Sequence, residues 1–327
     1  MTRPEKVAIL GLGAMGAYFA SRFLLTPHVC TSVLAKGQRY ARLMENGVQV
    51  NGQHFKIPLV HPEEKPDPAT LIIVALKHHQ LAEAAHDLQN LVGDQTTIIS
   101  VMNGLDSENF LGSIYGMDKV LYTISVGIDA VREGSEVSYT NPGKQIFGAA
   151  DNQQLSPRVK TVQDLFRLAG IPFETPPDMI RMLWWKFMIN VGMNQASAVL
   201  RAPYSVFQQS REAQQLMIAL MREVIALADV TGIKLGEDAI EDWYPVLHAL
   251  APQGKTSMLQ DIEAGRKTEV EIFAGKVVEL AEAYDIPAPV NRTFLQTIRV
   301  LEAYPTKKIP VSQEAQHGGN TWREKPG

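Results

Sequence analysis

The chain of 327 residues contains a single cysteine, Cys30, so no disulfide can form within it. This excludes the disulfide frameworks of small secreted proteins and favours a reducing, cytoplasmic setting. We expect Cys30, which lies just before a predicted strand, to be a small core residue. No signal-peptide pattern precedes the first apolar run, residues 6–10, and this also favours the cytoplasm.

Long apolar runs and an excess of positive charge are absent as well. No apolar run reaches the roughly 20 residues that a membrane span requires, so no contact with a membrane is expected. The formal net charge of -4 lacks the basic footprint of a nucleic-acid-binding protein. With 45% hydrophobic and 20% charged residues, the composition is that of a globular protein, and its length favours two domains.

What the sequence does contain is a glycine-rich turn between a predicted strand, residues 7–10, and a predicted helix, residues 17–24. The turn has the G-x-G-x-x-G pattern and consists of Gly11, Leu12, Gly13, Ala14, Met15 and Gly16. In this context the glycines permit a tight turn, close approach of a pyrophosphate and close packing of the helix, whose N-terminus attracts phosphate. The pattern predicts a Rossmann-type dinucleotide-binding domain; the alternative is a turn without a ligand.

The end of the second predicted strand, residues 31–35, bears on the choice of dinucleotide. Domains that prefer NAD often carry an acid there, which binds the ribose 2′-hydroxyl. Here Lys36 and Arg39 follow, two cations with no acid. This favours a 2′-phosphate and therefore NADP(H). The alternative is that both side chains lie in a solvated loop and helix start.

Two further predicted strands end in polar side chains. Lys77 follows residues 71–76, and Asn103 follows residues 96–102. Open parallel sheets bind ligands at the carboxyl ends of their strands, so we expect both side chains on the cofactor side. An asparagine before glycine is also a common turn residue. No metal site is predicted, because the histidines after Lys77 have no further ligand at suitable spacing.

The sequence changes character at a linker, residues 174–178. Strands dominate before the linker, and long helical patterns follow it, at 179–200, 210–231, 237–250 and 257–285. We therefore predict an α/β protein with an NADP(H)-binding Rossmann-like domain over 1–177 and an all-helical substrate domain over 178–327, separated by a cleft. Asp178 is expected to cap the first helix of the second domain. The tail, 305–327, is polar and aperiodic and is predicted to be flexible.

Additional strands are predicted in the first domain. Residues 48–55 alternate around Asn-Gly and predict a hairpin at the sheet edge. Residues 120–131 and 136–147 are expected to form two strands joined by a short turn.

A polar stripe interrupts the apolar helix predicted over residues 182–194. Lys186, Asn190 and Asn194 are spaced at i, i+4 and i+8, which places them on one helical face. Such groups are costly to bury without hydrogen bonds. Either another polar element packs against this face, or a cleft opens onto it and a polar ligand fills the cleft. A second polar segment, residues 257–275, carries four acids, Asp261, Glu263, Glu269 and Glu271, which the pattern alone does not distinguish.

Taken together, these motifs resemble those of the ketopantoate reductase (2-dehydropantoate 2-reductase) family over about residues 6–300. The matching positions, in chain order, are the glycine-rich turn, Lys77, Asn103-Gly104, the K-x-x-x-N-x-x-x-N pattern of Lys186, Asn190 and Asn194, and Ser257-Met258 leading through Asp261 and Arg266 to Thr268-Glu269.

The resemblance implies an enzyme that reduces 2-dehydropantoate to pantoate with NADPH, a step of pantothenate biosynthesis. It implies that Lys186 is the general acid and that Glu269 holds this lysine or a substrate hydroxyl. It further implies substrate-binding roles for Asn190, Asn194 and Ser257, cofactor-side positions for Lys77 and Asn103, and a 2′-phosphate contact for Lys36. The implied partner is a small-molecule 2-oxo acid, and a homodimer is compatible with the sequence.

Two positions depart from the family pattern. Tyr204 follows Pro203 where the family has an asparagine, and Ala274 precedes Gly275 where the family often has Asn-Gly. Both border the substrate side, so a reductase of another 2-oxo acid is the first alternative. A non-catalytic NADP(H)-binding regulator is the second, and the joint presence of Lys186 and Glu269 argues against it.

Overall fold

The computed structural model describes residues 4–304, and the predicted flexible tail at 305–327 lies outside this range. In chain order, the strands of the described range are β1 (Glu5–Leu10), β2 (Val29–Leu34), β3 (Val48–Val50), β4 (Gln53–Phe55), β5 (Leu59–Val60), β6 (Leu71–Val74), β7 (Thr97–Ser100), β8 (Val120–Ile128), β9 (Val131–Glu133), β10 (Glu136–Ser138), β11 (Pro142–Gly148) and β12 (Phe173–Glu174).

These strands form two sheets. The larger has the order β12-β11-β8-β7-β6-β1-β2-β5 and is parallel from β5 to β8, whereas β11 runs antiparallel to β8. Its central strands are wholly buried runs of apolar residues, as expected for a parallel sheet covered on both faces. The strand order reverses between β1 and β6, so the carboxyl ends of these two strands flank a crevice suited to a ligand.

The smaller sheet has the order β4-β3-β10-β9. The predicted hairpin at residues 48–55 is confirmed as β3 and β4, with Asn51 and Gly52 at positive φ in the turn. The strand predicted over residues 120–131 is interrupted, because β8 ends before Asp129. The side chain of Asp129 instead accepts hydrogen bonds from the backbone amides of Thr140 and Asn141. Two turns are thereby tied together beside the main sheet.

Helices cover the sheets and build the second half of the chain. Within residues 4–304 they are α1 (Ala14–Leu24), α2 (Gly37–Asn46), α3 (His78–Ala84), α4 (Ser107–Tyr115), α5 (Pro157–Leu168), α6 (Met179–Ile189), α7 (Gln195–Leu200), α8 (Tyr204–Gln209), α9 (Arg211–Val230), α10 (Asp238–Glu241), α11 (Trp243–Ala249), α12 (Ser257–Glu263), α13 (Ala274–Ala283) and α14 (Pro289–Ala303). None of them is long and apolar enough to cross a lipid bilayer.

The α/β fold class with a following helical half is confirmed. Asp178 caps α6 as predicted, with its side chain accepting from the amide of Arg181. The predicted domain division between residues 177 and 178 falls just before α6 and stays a prediction. Cys30 is exposed on β2, so the expectation of a core cysteine was wrong. It lies beside Lys6 near the amino end of the strand, where side chains still reach solvent.

The single helix predicted over residues 257–285 was also wrong. The helix α12 ends at Glu263, and Gly265 then adopts a positive φ of 63°. A loop follows, in which the amide and hydroxyl of Thr268 both donate to Glu302 on α14. Because of this break, Glu269 lies in a loop and not on a helix face.

Candidate active site

A cavity of about 780 Å³ opens at the carboxyl edge of the main sheet, and both halves of the chain line it. The sheet side contributes the glycine-rich turn after β1, Lys77 after β6 and Asn103 after β7. The helical side contributes the polar face of α6 and its continuation, together with Ser257 and Glu269. Thus the structure brings nearly all the sequence-predicted site residues to one cavity.

The glycine-rich turn has no room for side chains at two of its glycines. A Cβ at Gly11, which has φ 95°, would lie 2.5 Å from the carbonyl oxygen of Ala75. A Cβ at Gly16 would lie 1.9 Å from the carbonyl oxygen of Gly11. By contrast, a Cβ at Gly13 would meet nothing within 4 Å, because Gly13 faces the cavity at the start of α1. Leu12, Ala14 and Met15 line the cavity with it, and Gly16 is buried behind them.

Three arginines gather beside this turn. Arg39 and Arg42 come from α2 and Arg132 from β9, and all three line the cavity. Neither Arg39 nor Arg42 forms an ion pair within residues 4–304. Arg132 donates to the carbonyl oxygen of Leu12, and burial together with the charges of Arg42 and Arg39 lowers its pKa. Uncompensated positive charge of this kind favours an anionic ligand.

Lys36, in contrast, lies outside the cavity. Its ammonium pairs with the carboxylate of Asp87 at 2.9 Å. Lys36 is therefore not among the residues that line the cavity, and its contact with a 2′-phosphate stays a prediction. The sequence-based prediction overlooked Arg42, although it follows Arg39 by three residues and so shares its helical face. No local signal pointed to Arg132, which is brought in by a separate hairpin.

A chain of hydrogen bonds links the two halves of the protein across the cavity wall. The side-chain amide of Asn194 donates to Asn190 at 3.4 Å, and that of Asn190 donates to Asn103 at 3.3 Å. The amide of Asn103 donates in turn to a carboxylate oxygen of Glu269 at 2.9 Å. The other oxygen of Glu269 lies 3.8 Å from the ammonium of Lys77. Both alternatives for the polar stripe of Lys186, Asn190 and Asn194 are thus present, because a polar element packs against the stripe and the cavity opens onto it.

Lys77 carries a second contact that the sequence left open. Its ammonium lies 3.4 Å from Asp261 on α12, whose other oxygen accepts from Arg266 at 2.8 Å. Of the four acids in residues 257–275, Asp261 and Glu269 thus face the sheet edge. Glu263 pairs with Lys255, and Glu271 pairs with Arg299. No three or more His, Cys, Asp or Glu side chains among residues 4–304 are arranged to hold a metal ion.

Lys186 is half-buried, whereas Arg39 and Arg42 are exposed. Its ammonium makes no hydrogen bond or ion pair with residues 4–304. Burial lowers the pKa of its ammonium from 10.5 to about 8, because desolvation disfavours the charged form. Glu269 does not oppose this shift, since Asn103 and Lys77 hold its carboxylate. An ammonium group whose pKa lies near neutral pH, and whose hydrogens are not already donated to another group, can give a proton to a ligand.

The asparagines occupy a widened turn. After α6 the helix continues as one π-helical turn, Asn190–Asn194, before α7 begins. Single π turns inside α-helices are frequent at functional sites. Gly192 permits close packing of this turn against α9, because a Cβ there would lie 2.5 Å from Met221. The regular i, i+4, i+8 stripe therefore acquires a local bulge that keeps both amides buried and facing the cavity.

Ser257 is placed by a capped helix start. It is the first residue of α12, and the side chain of Thr256 caps that helix by accepting from the amide of Leu259. The Thr256 hydroxyl also donates to Ser197 on α7. Ser257 is consequently held against the continuation of the Lys186 helix and faces the cavity.

Tyr204 also lines the cavity, together with Ala249, Leu250 and Ala251. The backbone amide of Tyr204 donates to the carbonyl oxygen of Gly254 at 3.0 Å. Burial raises the pKa of the Tyr204 phenol to about 12. Of the two departures from the family pattern, Tyr204 borders the cavity, whereas Ala274 is buried in the core and does not line it.

Comparison with known proteins identifies the family to which the chain is similar. Residues 7–152 match the family model described as Ketopantoate reductase PanE/ApbA, and residues 178–302 match Ketopantoate reductase PanE/ApbA C terminal. The chain is 26% identical to the 2-dehydropantoate 2-reductase of Pyrococcus abyssi, an alignment that covers 93% of this chain and 100% of that enzyme.

Solved structures share the fold. The ternary structure of D-mandelate dehydrogenase with NADH and anilino(oxo)acetate superposes with a TM-score of 0.82 at 22% identity, covering 91% of this chain and 98% of that one. The 2-dehydropantoate 2-reductase from Geobacter metallireducens superposes with a TM-score of 0.79 at 23% identity, covering 90% and 99%. The two family models together span most of the described residues, so the chain belongs to the ketopantoate reductase PanE/ApbA family, oxidoreductases whose cofactor is a nicotinamide dinucleotide.

Proposed function

We propose that this protein reduces the ketone of a 2-oxo acid, in first place 2-dehydropantoate, to the 2-hydroxy acid with NADPH as the cofactor. The observation that carries the proposal is the unpaired, desolvated ammonium of Lys186 in a cavity shared with a dinucleotide-binding turn. Relatives named 2-dehydropantoate 2-reductase, aligned over more than nine-tenths of the chain, support the choice of substrate.

The glycine-rich turn fits a dinucleotide. Gly13 leaves the backbone open toward the cavity, so a pyrophosphate can approach the amides at the start of α1. The cavity is large enough for an extended cofactor together with a small acid. When bound, NADPH supplies the hydride that reduces the ketone carbon.

Lys186 is proposed as the general acid. As negative charge develops on the ketone oxygen, the Lys186 ammonium stabilises that charge and donates a proton to the oxygen. Its pKa of about 8 keeps it mainly protonated at neutral pH while weakening its hold on the proton. Desolvation in the cavity strengthens both effects, because charges interact more strongly where water is excluded.

The amide chain and Ser257 are proposed to orient the substrate. The amides of Asn190 and Asn194 and the hydroxyl of Ser257 offer donors to a carboxylate and to the reacting oxygen. For Glu269 the geometry favours a substrate hydroxyl over Lys186, since Asn103 and Lys77 already orient its carboxylate toward the cavity. The homodimer that is compatible with the sequence stays a prediction.

Substitution of Lys186 by alanine tests the catalytic assignment. We expect kcat for 2-dehydropantoate reduction to fall by about 10² to 10⁴, the usual contribution of a positioned general acid, while NADPH binds with unchanged affinity. Turnover is followed by loss of NADPH absorbance, and binding by nucleotide fluorescence. Near-normal turnover in Lys186→Ala with intact NADPH binding would show that the proton comes from elsewhere.

The arginine cluster supports NADPH over NADH. A 2′-phosphate carries charge that the ribose hydroxyl of NADH lacks, and bidentate guanidinium contacts suit phosphate. Arg39 and Arg42 lie on the cavity without a carboxylate partner in the described range, whereas an NAD-preferring site has an acid near this position. We therefore assign the 2′-phosphate contact to Arg39 and Arg42, with Arg132 adding to the positive field.

The double variant Arg39→Ala/Arg42→Ala tests this assignment. We expect its KM for NADPH to rise by roughly tenfold or more, the scale of a lost charge-assisted hydrogen bond, with little change in its KM for NADH. The control is Lys36→Ala, which removes a cation from the same segment that pairs with Asp87 outside the cavity. If both variants change the ratio of the two KM values alike, the arginines are not specific for the phosphate.

A second candidate function is favoured by Tyr204 on the cavity wall. Its ring stands where the family pattern has an amide, and Ala249, Leu250 and Ala251 line the cavity as well. Such a wall suits a 2-oxo acid with a larger branched or aromatic substituent. The chemistry at Lys186 would be the same, and only the substrate would differ.

A panel of 2-oxo acids decides between the two substrates. On the lead proposal, kcat/KM is highest for 2-dehydropantoate, and Tyr204→Asn retains this preference. A wild-type preference for an acid with a larger branched or an aromatic substituent, which Tyr204→Asn reverses, would establish the second candidate. NADPH binding without oxidation by any acid of the panel would instead indicate a regulator.

A further inference from the structure

A buried carboxyl group lies behind the cavity and takes no part in the proposed chemistry. Glu108 stands in the first turn of α4 and is 1% exposed. Ser107 beside it and Ser100 at the end of β7 are equally buried. A carboxyl group at this depth is costly for the fold unless hydrogen bonds and structure compensate. Its presence needs a physical reason.

The three side chains form one directional chain of hydrogen bonds. The hydroxyl of Ser107 donates to Oε2 of Glu108 at 2.8 Å. The hydroxyl oxygens of Ser100 and Ser107 lie 2.8 Å apart. When Glu108 is ionised, the Ser107 proton is given to its carboxylate, so Ser100 is the donor of this pair. The hydroxyl oxygen of Ser100 in turn accepts a hydrogen bond from the backbone amide of Met102 at 3.3 Å. Every donor along the chain therefore points toward Glu108.

This chain ends directly beneath the cavity wall. Met102 precedes Asn103, whose side chain connects Asn190 on one side with Glu269 on the other. The backbone there leaves β7 and turns at Gly104, which has φ 99°. The amide of Met102 is thus the point at which the buried chain of hydrogen bonds reaches the backbone turn that carries Asn103.

The carboxyl group is a poor choice for stability alone. Its Oε1 has no hydrogen bond of good geometry among residues 4–304. Burial raises its pKa to about 7, although Ser107 and the backbone amides of Glu108 and Thr123 act in the opposite direction. An apolar side chain of similar size would avoid the desolvation of that oxygen. What an apolar side chain lacks is an acceptor for Ser107, without which the direction of the other two hydrogen bonds is undefined.

We propose that Glu108, acting through Ser107 and Ser100, is a positioning residue that holds the Met102–Asn103 turn so that Asn103 can bridge Glu269 and Asn190. Its effect on turnover rests on the proposed function. Its effect on the backbone of Met102 does not, so the two can fail separately.

The test compares Glu108→Leu with Glu108→Gln in the full chain. Glutamine keeps an oxygen that accepts from Ser107, whereas leucine does not. For Glu108→Leu we expect kcat with 2-dehydropantoate to fall about tenfold or more, as for a misplaced site group, with the KM for NADPH unchanged and faster hydrogen exchange at the Met102 amide. Glu108→Gln should match the wild type in all three. The control Ser113→Ala removes an exposed hydroxyl from the same helix and should change nothing.

Equal kcat and equal Met102 exchange in the leucine and glutamine variants would overturn the proposal. If Glu108→Leu does not fold, Ser100→Ala cuts the chain at its other end and is expected to give the same slower turnover and faster exchange; wild-type values in that variant would overturn the proposal equally. If the wild type reduces no 2-oxo acid, the proposed function fails, and Met102 exchange in the same variants still decides whether the chain of hydrogen bonds holds the turn.

Discussion

An ammonium group without a partner is the constraint around which the site is built. Lys186 is half-buried, its pKa is lowered to about 8, and no described carboxylate reaches it. Burying an unpaired lysine costs free energy of folding, which other interactions of the surrounding fold must offset. The helix that carries it supplies that stability, because its other faces place Leu183, Phe187 and Met188 in the main core of the helical half.

The acids of the cavity depend on the same constraint. If Glu269 paired with Lys186, the lysine would keep an ordinary affinity for its proton and would be a weaker acid. Instead, the Glu269 carboxylate accepts a hydrogen bond from Asn103 and lies close to the ammonium of Lys77, and both of these residues come from the sheet edge. The hydrogen bonds that join the two halves of the chain therefore also keep Lys186 free. The same hydrogen bonds therefore contribute both to the packing of the two halves and to the lowered pKa of Lys186.

Local patterns in the sequence predicted the fold class, and most of the site residues predicted from them line the cavity. The order of glycines around Gly13 and the spacing of Lys186, Asn190 and Asn194 are short-range features that follow from helix geometry, and they led to the fold class and to the family. The partners of these residues were not accessible in that way. Asn103 and Glu269 are separated by 166 positions, and Arg132 reaches Leu12 across 120. The loop after Gly265 is held by Thr268, which donates to Glu302 on a helix 34 positions away. Contacts of this range are set by packing, which periodicity does not record.

The pH dependence of kcat/KM for 2-dehydropantoate reduction, measured at saturating NADPH, decides whether a desolvated Lys186 is the proton donor. Because Lys186 must be protonated to act as the acid and its pKa is about 8, we expect a constant value in the acidic and neutral range. Above that pKa the value should fall by about tenfold per pH unit, the slope of a single ionisation. A profile that stays level until it approaches the ordinary lysine pKa of 10.5 would contradict the account, since the proton donor would then not be a desolvated Lys186.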